Sequence, residues 1–209
     1  MRIALAAGDG IGTEIMAATL ELFAAAGVAK QVEFVPVEMG KAVFETGNTR
    51  GITDEAVRTV ESCGVLFKGP METPKGGGGK SINVTARKMW SAYANYRHFR
   101  SLPGVKTPFS HLDLNFAIMK MTDGLFLERF KALAAGYPGI EAADVIVDAL
   151  CMNLVMKPEQ YQMVVLPNLQ GDIVSDLAAG LVGGLGFAPS ANIGTNISIF
   201  EAVHGSAPD

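Results

Sequence analysis

Cysteine is scarce in this 209-residue chain. Its two copies, Cys63 and Cys151, lie in apolar surroundings without the spacing of a metal knuckle or a disulfide framework, so both are expected to be buried thiols. Charge is sparse as well. Charged residues make up 18% of the chain, the formal net charge is −4 and the pI is near 5.4, which excludes binding of a phosphate backbone by bulk electrostatics. Nucleic acid is therefore not an expected partner. Long apolar runs are missing, so no stretch spans a bilayer and no membrane partner is expected. The short apolar start, Met1 to Ala7, meets Asp9 where a signal peptide needs a longer apolar core. The expected location is the cytoplasm, or the mitochondrial matrix if the source is eukaryotic. Internal repeats and low-complexity tracts are also lacking.

What is present is a globular composition, 49% hydrophobic with 24 glycines. Residues 2–7 read as a buried strand, Gly8-Asp-Gly-Ile-Gly12 as a turn, and the following segment as a helix. That helix has Thr13 as its cap, Ile15, Leu22 and Phe23 on its inner face, and Gly27 at its end. Val32 to Val37 gives a second strand, Thr53 caps a helix carrying Val57 and Val60, and Val65 to Phe67 gives a third strand. Such alternation predicts a largely parallel, helix-covered sheet. Further on, Ser101 to His111 is a Pro/Gly-rich loop and Leu112 to Ala117 is a strand candidate. A helix is expected from about Met119, then strands at Val145–Val147 and Met163–Leu166.

Several segments carry chemistry. Lys75-Gly-Gly-Gly-Gly-Lys-Ser81 looks like a phosphate cradle, but Pro74 stands where a P-loop needs glycine and no strand runs into it, so a surface hairpin is the plainer reading. After it, Ser81 and Asn83 offer neutral hydrogen bonds, and Arg87 and Arg97 offer two guanidiniums, a set suited to gripping several carboxylates. Asp172 and Asp176 are four apart, so on a helix they share one face. They either hold a hard divalent ion or serve as the cap and first-turn charge of that helix. Asp148 follows the apolar Val145–Val147 run, at what reads as a strand end. The Gly8–Gly12 turn reads G-x-G-x-G, and Glu33 comes too early on the second strand, so a Rossmann nucleotide site is not supported. His204, in Ala202-Val-His-Gly-Ser-Ala-Pro208, is a lone imidazole in a loop.

Taken together, these segments resemble the isocitrate/isopropylmalate family of β-decarboxylating dehydrogenases. Gly8–Gly12, Lys68-Gly-Pro70, Ser81-x-Asn83-x-x-x-Arg87, Arg97, Asn168-x-x-Gly-Asp172-x-x-x-Asp176, Gly183-Gly-Leu-Gly-Phe-Ala-Pro189 and Glu201-Ala-Val-His-Gly-Ser-Ala-Pro208 fall in the family's order. The resemblance implies a two-domain α/β fold. A large parallel-containing sheet domain would comprise residues 1–92 and 183–209, and a smaller α/β domain residues 93–182. It also implies oxidative decarboxylation of isocitrate to 2-oxoglutarate and CO₂, with hydride transfer to NAD or NADP. The Ser81/Asn83 pair weighs against the family's homoisocitrate and isopropylmalate members. By resemblance Thr73, Ser81, Asn83, Arg87 and Arg97 bind substrate, and Ile11, Thr73, Glu201, His204, Gly205, Ser206 and Ala207 hold the cofactor. Asp172 and Asp176 would hold Mg²⁺ or Mn²⁺ with Asp148 of a second subunit, in a homodimer that shares Asp148 across its interface.

The chain departs from the family pattern after Asp113-Leu114. The third substrate arginine, the catalytic tyrosine, the catalytic lysine and the intersubunit clasp have no counterpart, and Asn115 stands about where the lysine falls. The continuity of the resemblance on both sides predicts a break in the chain between Leu114 and Ile118. If there is none, a non-catalytic regulatory subunit becomes the rival reading.

Overall fold

A computed structural model describes residues 1–72, 81–119 and 123–207. Its elements, in chain order, are β1 (Arg2–Ala6), α1 (Gly12–Ala25), β2 (Glu33–Pro36), α2 (Lys41–Glu45), α3 (Asp54–Cys63), β3 (Val65–Lys68), α4 (Ile82–Met89) and β4 (Ala94–Arg100). They continue with β5 (Asp113–Met119), α5 (Asp123–Ala134), α6 (Val147–Met156), β6 (Met163–Pro167), α7 (Asn168–Leu181), β7 (Pro189–Ile193) and β8 (Ser198–Ala202). Backbone contacts divide the chain into two compact units, 1–93 with 189–209, and 94–188. Residues 183–188 thus group with the second unit rather than the first.

In the first unit the strand order is β2-β1-β3-β8-β7, parallel except where β7 runs against β8. Strand alternation sorts the side chains. Leu66 and Ile199 face a core shared with Ile52, Ala56 and Val60 near α3, with Ile82 and Ala86 on α4 and with Trp90 just past its end. Phe67 points to the other face, where Phe23 of α1 lies between it and Phe34, with centroids 5.8 Å from each. α3 begins as expected, the Thr53 hydroxyl accepting from the Ala56 N–H at 3.1 Å. α1 does not. Its cap position is Ile11 and not Thr13, because the turn closes two residues earlier with Gly12 N–H donating to Asp9 C=O at 3.0 Å. That rotates Met16 inward and leaves Ile15 and Leu22 exposed, contrary to the expected inner face. Gly27 does follow the helix end, at φ +78°.

In the second unit β4 pairs antiparallel with β5, and β5 parallel with β6. The helix expected from about Met119 starts at Asp123, because Met119 still belongs to β5. β5 runs unbroken through Asp113–Met119, with Leu114, Phe116 and Ile118 buried in strict alternation. The period-2 pattern continues across the segment, so one strand accommodates it. Phe99 meets Phe116 edge-on at 5.3 Å, and α7 packs on β5 and β6. The expected strand Val145–Val147 is also corrected. Val147 opens α6, and the buried Leu150 and Leu154 four apart carry a helical period into that apolar run. Asp148 accordingly sits in the first turn of a helix, not at a strand end. Cys63 and Cys151 are free thiols, only half-buried.

Candidate active site

The first unit gathers its chemistry at the carboxyl ends of β1, β3 and β8, where parallel sheets place ligands. Asp9, just past β1, ties three loops together. Its carboxylate accepts from the Lys41 N–H at 3.1 and 3.0 Å and from the Glu72 N–H at 2.8 Å, while its own N–H donates to Pro70 C=O at 2.7 Å. Gly10, at φ +57°, is demanded by contact, since an added Cβ would stand 2.2 Å from the Ser206 carbonyl oxygen. The neighbouring Ile11 N–H donates to that oxygen at 3.0 Å. The expected cofactor residues Ile11 and Ser206 are therefore in direct contact. His204, Gly205 and Ala207 share the same loop, with His204 Nδ1 2.9 Å from Gly205 C=O and Ala207 at φ +40°.

The register of the parallel sheet creates the main electrostatic feature. Lys68 is paired across from Glu201, and each lies two residues beyond a core side chain, Leu66 and Ile199, so both turn inward. Lys68 Nζ sits 2.6 Å from Glu201 Oε2 and donates to Gly69 C=O at 3.1 Å. Arg87 from α4 and the Asn192 amide, the latter at 2.7 Å, both donate to Glu201 Oε1. Burial works to raise the Glu201 carboxyl, but the charges of Lys68 and Arg87 outweigh it and hold the group at about 2. Burial pulls the Lys68 ammonium down against the attraction of Glu201. Glu201, expected to hold the cofactor, has a side chain only 4% exposed and three partners inside the protein. Its position is that of an internal anchor. Lys68 and Asn192 were not singled out as site residues, although a lysine closing an apolar strand on its inward face was a readable signal.

Along α4, Ser81 is the cap, its hydroxyl oxygen accepting from the Val84 N–H at 3.5 Å. That bond leaves the hydroxyl proton free to be donated. Asn83 Oδ1 and Arg87 Nε are buried without a hydrogen-bond partner, an acceptor and a donor one helical turn apart. Thr73 and the glycine run at 75–80 lie outside the described residues.

In the second unit Asp172 and Asp176 do share one face of α7, and a cation lies against them. That cation is Arg97 from β4, with Nη2 at 3.0 Å from Asp172 Oδ1 and Nη1 at 3.8 Å from Asp176 Oδ1. The guanidinium also donates to Ser175 Oγ, and from Nε to Asn95 Oδ1 at 2.8 Å. Asn168 donates to Asp172 Oδ2 at 3.1 Å. Asp148 accepts from the Ala149 N–H at 2.6 Å, and among the described residues no three His, Cys, Asp or Glu side chains converge. Asn115 accepts from the Tyr96 hydroxyl and donates to Gln162 C=O at 3.2 Å.

These features agree with comparisons to known proteins. The pattern of the isocitrate/isopropylmalate dehydrogenase family matches residues 2–118 and 115–209. The NADP isocitrate dehydrogenase of Thermus thermophilus is 37% identical over 260 positions, covering 96% of this chain and 52% of the relative. An NAD isocitrate dehydrogenase regulatory subunit of Dictyostelium discoideum is 35% identical, over 100% of this chain and 73% of its own length. The crystal structure of isocitrate dehydrogenase from Methylococcus capsulatus superimposes with a TM-score of 0.90 at 36% identity, covering 100% of this chain and 78% of that one. This chain belongs to the isocitrate/isopropylmalate dehydrogenase family. It spans about half the length of the Thermus relative. The two matched pieces meet at residues 115–118, inside β5, and an alignment of 260 positions that covers 96% of the 209 residues leaves about 60 positions of that relative opposite nothing here. Among the described residues no helix is long and apolar enough to cross a membrane.

Proposed function

We propose that this chain binds isocitrate and oxidises it, with loss of CO₂, to 2-oxoglutarate, passing the hydride to NAD or NADP. The observation that carries the reading is the donor set of α4. A capping Ser81 hydroxyl with a free proton and a buried unpaired Arg87 N–H lie along one helix, so a carboxylate there meets a neutral and a charged donor together. Ser81, Asn83, Arg87 and Arg97 hold substrate carboxylates, with Thr73 assigned by family likeness. Ile11 and the His204-Gly-Ser-Ala207 loop hold the nicotinamide cofactor, while Glu201 orients Arg87 from beneath.

Mg²⁺ or Mn²⁺ fits the donor chemistry of α7, whose two carboxylates are half-exposed on one face and held by a cation from their inner side. When bound, the ion supplies Lewis acidity to the substrate's hydroxyl and adjacent carboxylate. Asp172 and Asp176 are its ligands from this chain. A third carboxylate has to come from outside it, and Asp148 of a second copy is the assignment, in a homodimer. The exposed apolar side chains Ile146, Met152 and Met156 of α6 and its approach, with Leu169 and Ile173 of α7, support such a face. Sedimentation of wild type and Ile173→Asp checks it. A dimer converted to a monomer is expected, and a monomeric wild type refutes it.

One observation favours a second reading. Asn115, which cannot transfer a proton, stands where the family lysine falls and is engaged by Tyr96 and Gln162. A subunit that binds isocitrate without turning it over would have this appearance. Isocitrate-dependent reduction of NAD and NADP with Mg²⁺, measured beside calorimetric isocitrate binding, separates the readings. Turnover supports the enzyme, binding without turnover supports the regulatory subunit, and neither refutes both.

A further inference from the structure

The seat of Arg97 has a consequence for how ligands arrive. Its side chain is only 12% exposed, whereas those of Asp172 and Asp176 are 53% and 62% exposed, so the guanidinium is pinned on the inner side and the carboxylates reach outward. Ser175 and Asn95 fix its fork from two other directions. One cation stands against two carboxylates that would otherwise repel each other on adjacent turns of α7. Only a planar fork reaches both while also donating to Ser175; a lysine ammonium, a single point of charge, does not.

We propose that Arg97 is a resident counter-ion that yields Asp172 and Asp176 to the divalent ion and is thereby released to a substrate carboxylate. Cation and tricarboxylate binding are then coupled through one guanidinium. The inference rests on the metal reading of the α7 carboxylates given above. Before the ion binds, a substrate carboxylate must take Arg97 from two anions. Afterwards the ion neutralises them, and the guanidinium can turn the donors it gave Asp172 and Asp176 to the substrate. The coupling is reciprocal, so an anion that engages Arg97 also strengthens the hold of the carboxylates on the ion.

The test is binding of Mn²⁺ to the full chain, followed by electron paramagnetic resonance of the free ion, without nucleotide or turnover. Arg97→Gln is expected to tighten Mn²⁺ about fivefold or more, with Arg97→Lys between it and wild type. Arg100→Gln, three residues along the same strand and on its opposite face, leaves the affinity unchanged and controls for bulk charge. Propane-1,2,3-tricarboxylate, which lacks the substrate's hydroxyl, tightens Mn²⁺ in wild type and not in Arg97→Gln. Equal Mn²⁺ affinity in wild type and Arg97→Gln, or equal tightening by the tricarboxylate in both, overturns the exchange while leaving the metal site standing. Saturable Mn²⁺ binding that survives Asp172→Asn, or no binding in wild type, overturns the metal reading itself. If Arg97→Gln fails to give a cooperative melt, Arg97→Lys carries the comparison, and an affinity identical to wild type then counts against the proposal.

Discussion

Replacing Glu201 by glutamine tests the buried network at its centre. The carboxyl is held at about 2 against an ordinary 4.5, which corresponds to about 3 kcal/mol favouring the ionised form in the folded state. Glutamine keeps the shape and can still accept from Asn192, but it leaves the Lys68 ammonium, with a side chain 1% exposed, facing no charge. Removing one partner of a buried pair costs roughly 3–5 kcal/mol, so the Glu201→Gln variant should lose an amount in that range in urea unfolding near neutral pH. The pH dependence follows from the direction of the shift. A depressed carboxylate contributes stability that is present above its unfolded pKa and is lost as pH falls through its folded one. The gap between wild type and variant should therefore be full above about pH 4.5 and close as pH approaches about 2. Lys68 acts in the same sense at high pH. Its depressed ammonium lets the folded state gain as pH rises toward 10.5. Lys68→Met serves as the companion variant and should cost less, because Arg87 and Asn192 continue to satisfy Glu201. A difference below about 1 kcal/mol near neutral pH, or one that holds constant from about pH 5 down to about pH 3, would refute the electrostatic account.

The other predictions concern single contacts. Ser81→Asp retains a good helix cap, so its melting temperature should stay within a few degrees of wild type; calorimetry should show isocitrate binding weakened at least about a hundredfold, roughly 2.7 kcal/mol, by the charge set beside the substrate's carboxylates. Binding within a few-fold of wild type would remove Ser81 from the site. Gly10→Ala must push against the Ser206 carbonyl oxygen, 2.2 Å from the new Cβ, at φ +57°, so a loss of about 1–3 kcal/mol is expected, together with weaker nucleotide binding by fluorescence titration. Gly171→Ala gains helix propensity, yet its Cβ would lie 2.7 Å from Ile118; overpacking by about 1–3 kcal/mol should prevail, and chemical unfolding of Gly171→Ala with Ile118→Ala should show the two changes to be non-additive.

Local signals read from sequence carried much of the first unit. The apolar runs at β1 and β3, the Thr53 cap and Gly27 are each decided by residues within one turn, so their reading needs no tertiary information. The failures came where two periods compete. Val145 to Val147 is too short to tell strand from helix, and only the spacing of Leu150 and Leu154 beyond it decides, which also moved Asp148 from a strand end to a first turn. Thr13 looks like a cap because threonine caps helices, but the bond from Gly12 N–H to the Asp9 carbonyl within the 8–12 turn starts the helix before it. The α7 carboxylates were legible as a same-face pair. Their partner was not, since Arg97 lies 75 residues away and reaches them only through the pairing of β4 with β5 and the packing of α7 on that sheet.

The two arginines, which sequence presents as equivalent carboxylate grips, differ in what holds them. Arg87 is held by an anion that cannot leave, because Glu201 is buried, bonded to Lys68 and Asn192, and fixed by the β3–β8 register. On the proposed function a substrate carboxylate shares that guanidinium, taking the donors that Glu201 does not, and Glu201 serves to aim it. Arg97 is held by anions that face solvent on a helix surface and can accept another cation in its place. The first arginine is thus oriented before any ligand arrives and contributes affinity with little rearrangement. The second contributes only after an exchange, which makes its contribution conditional on the ion. A chain built this way should bind a tricarboxylate weakly alone and much more tightly with the divalent ion present, and Arg87→Gln should weaken both modes while Arg97→Gln weakens chiefly the second.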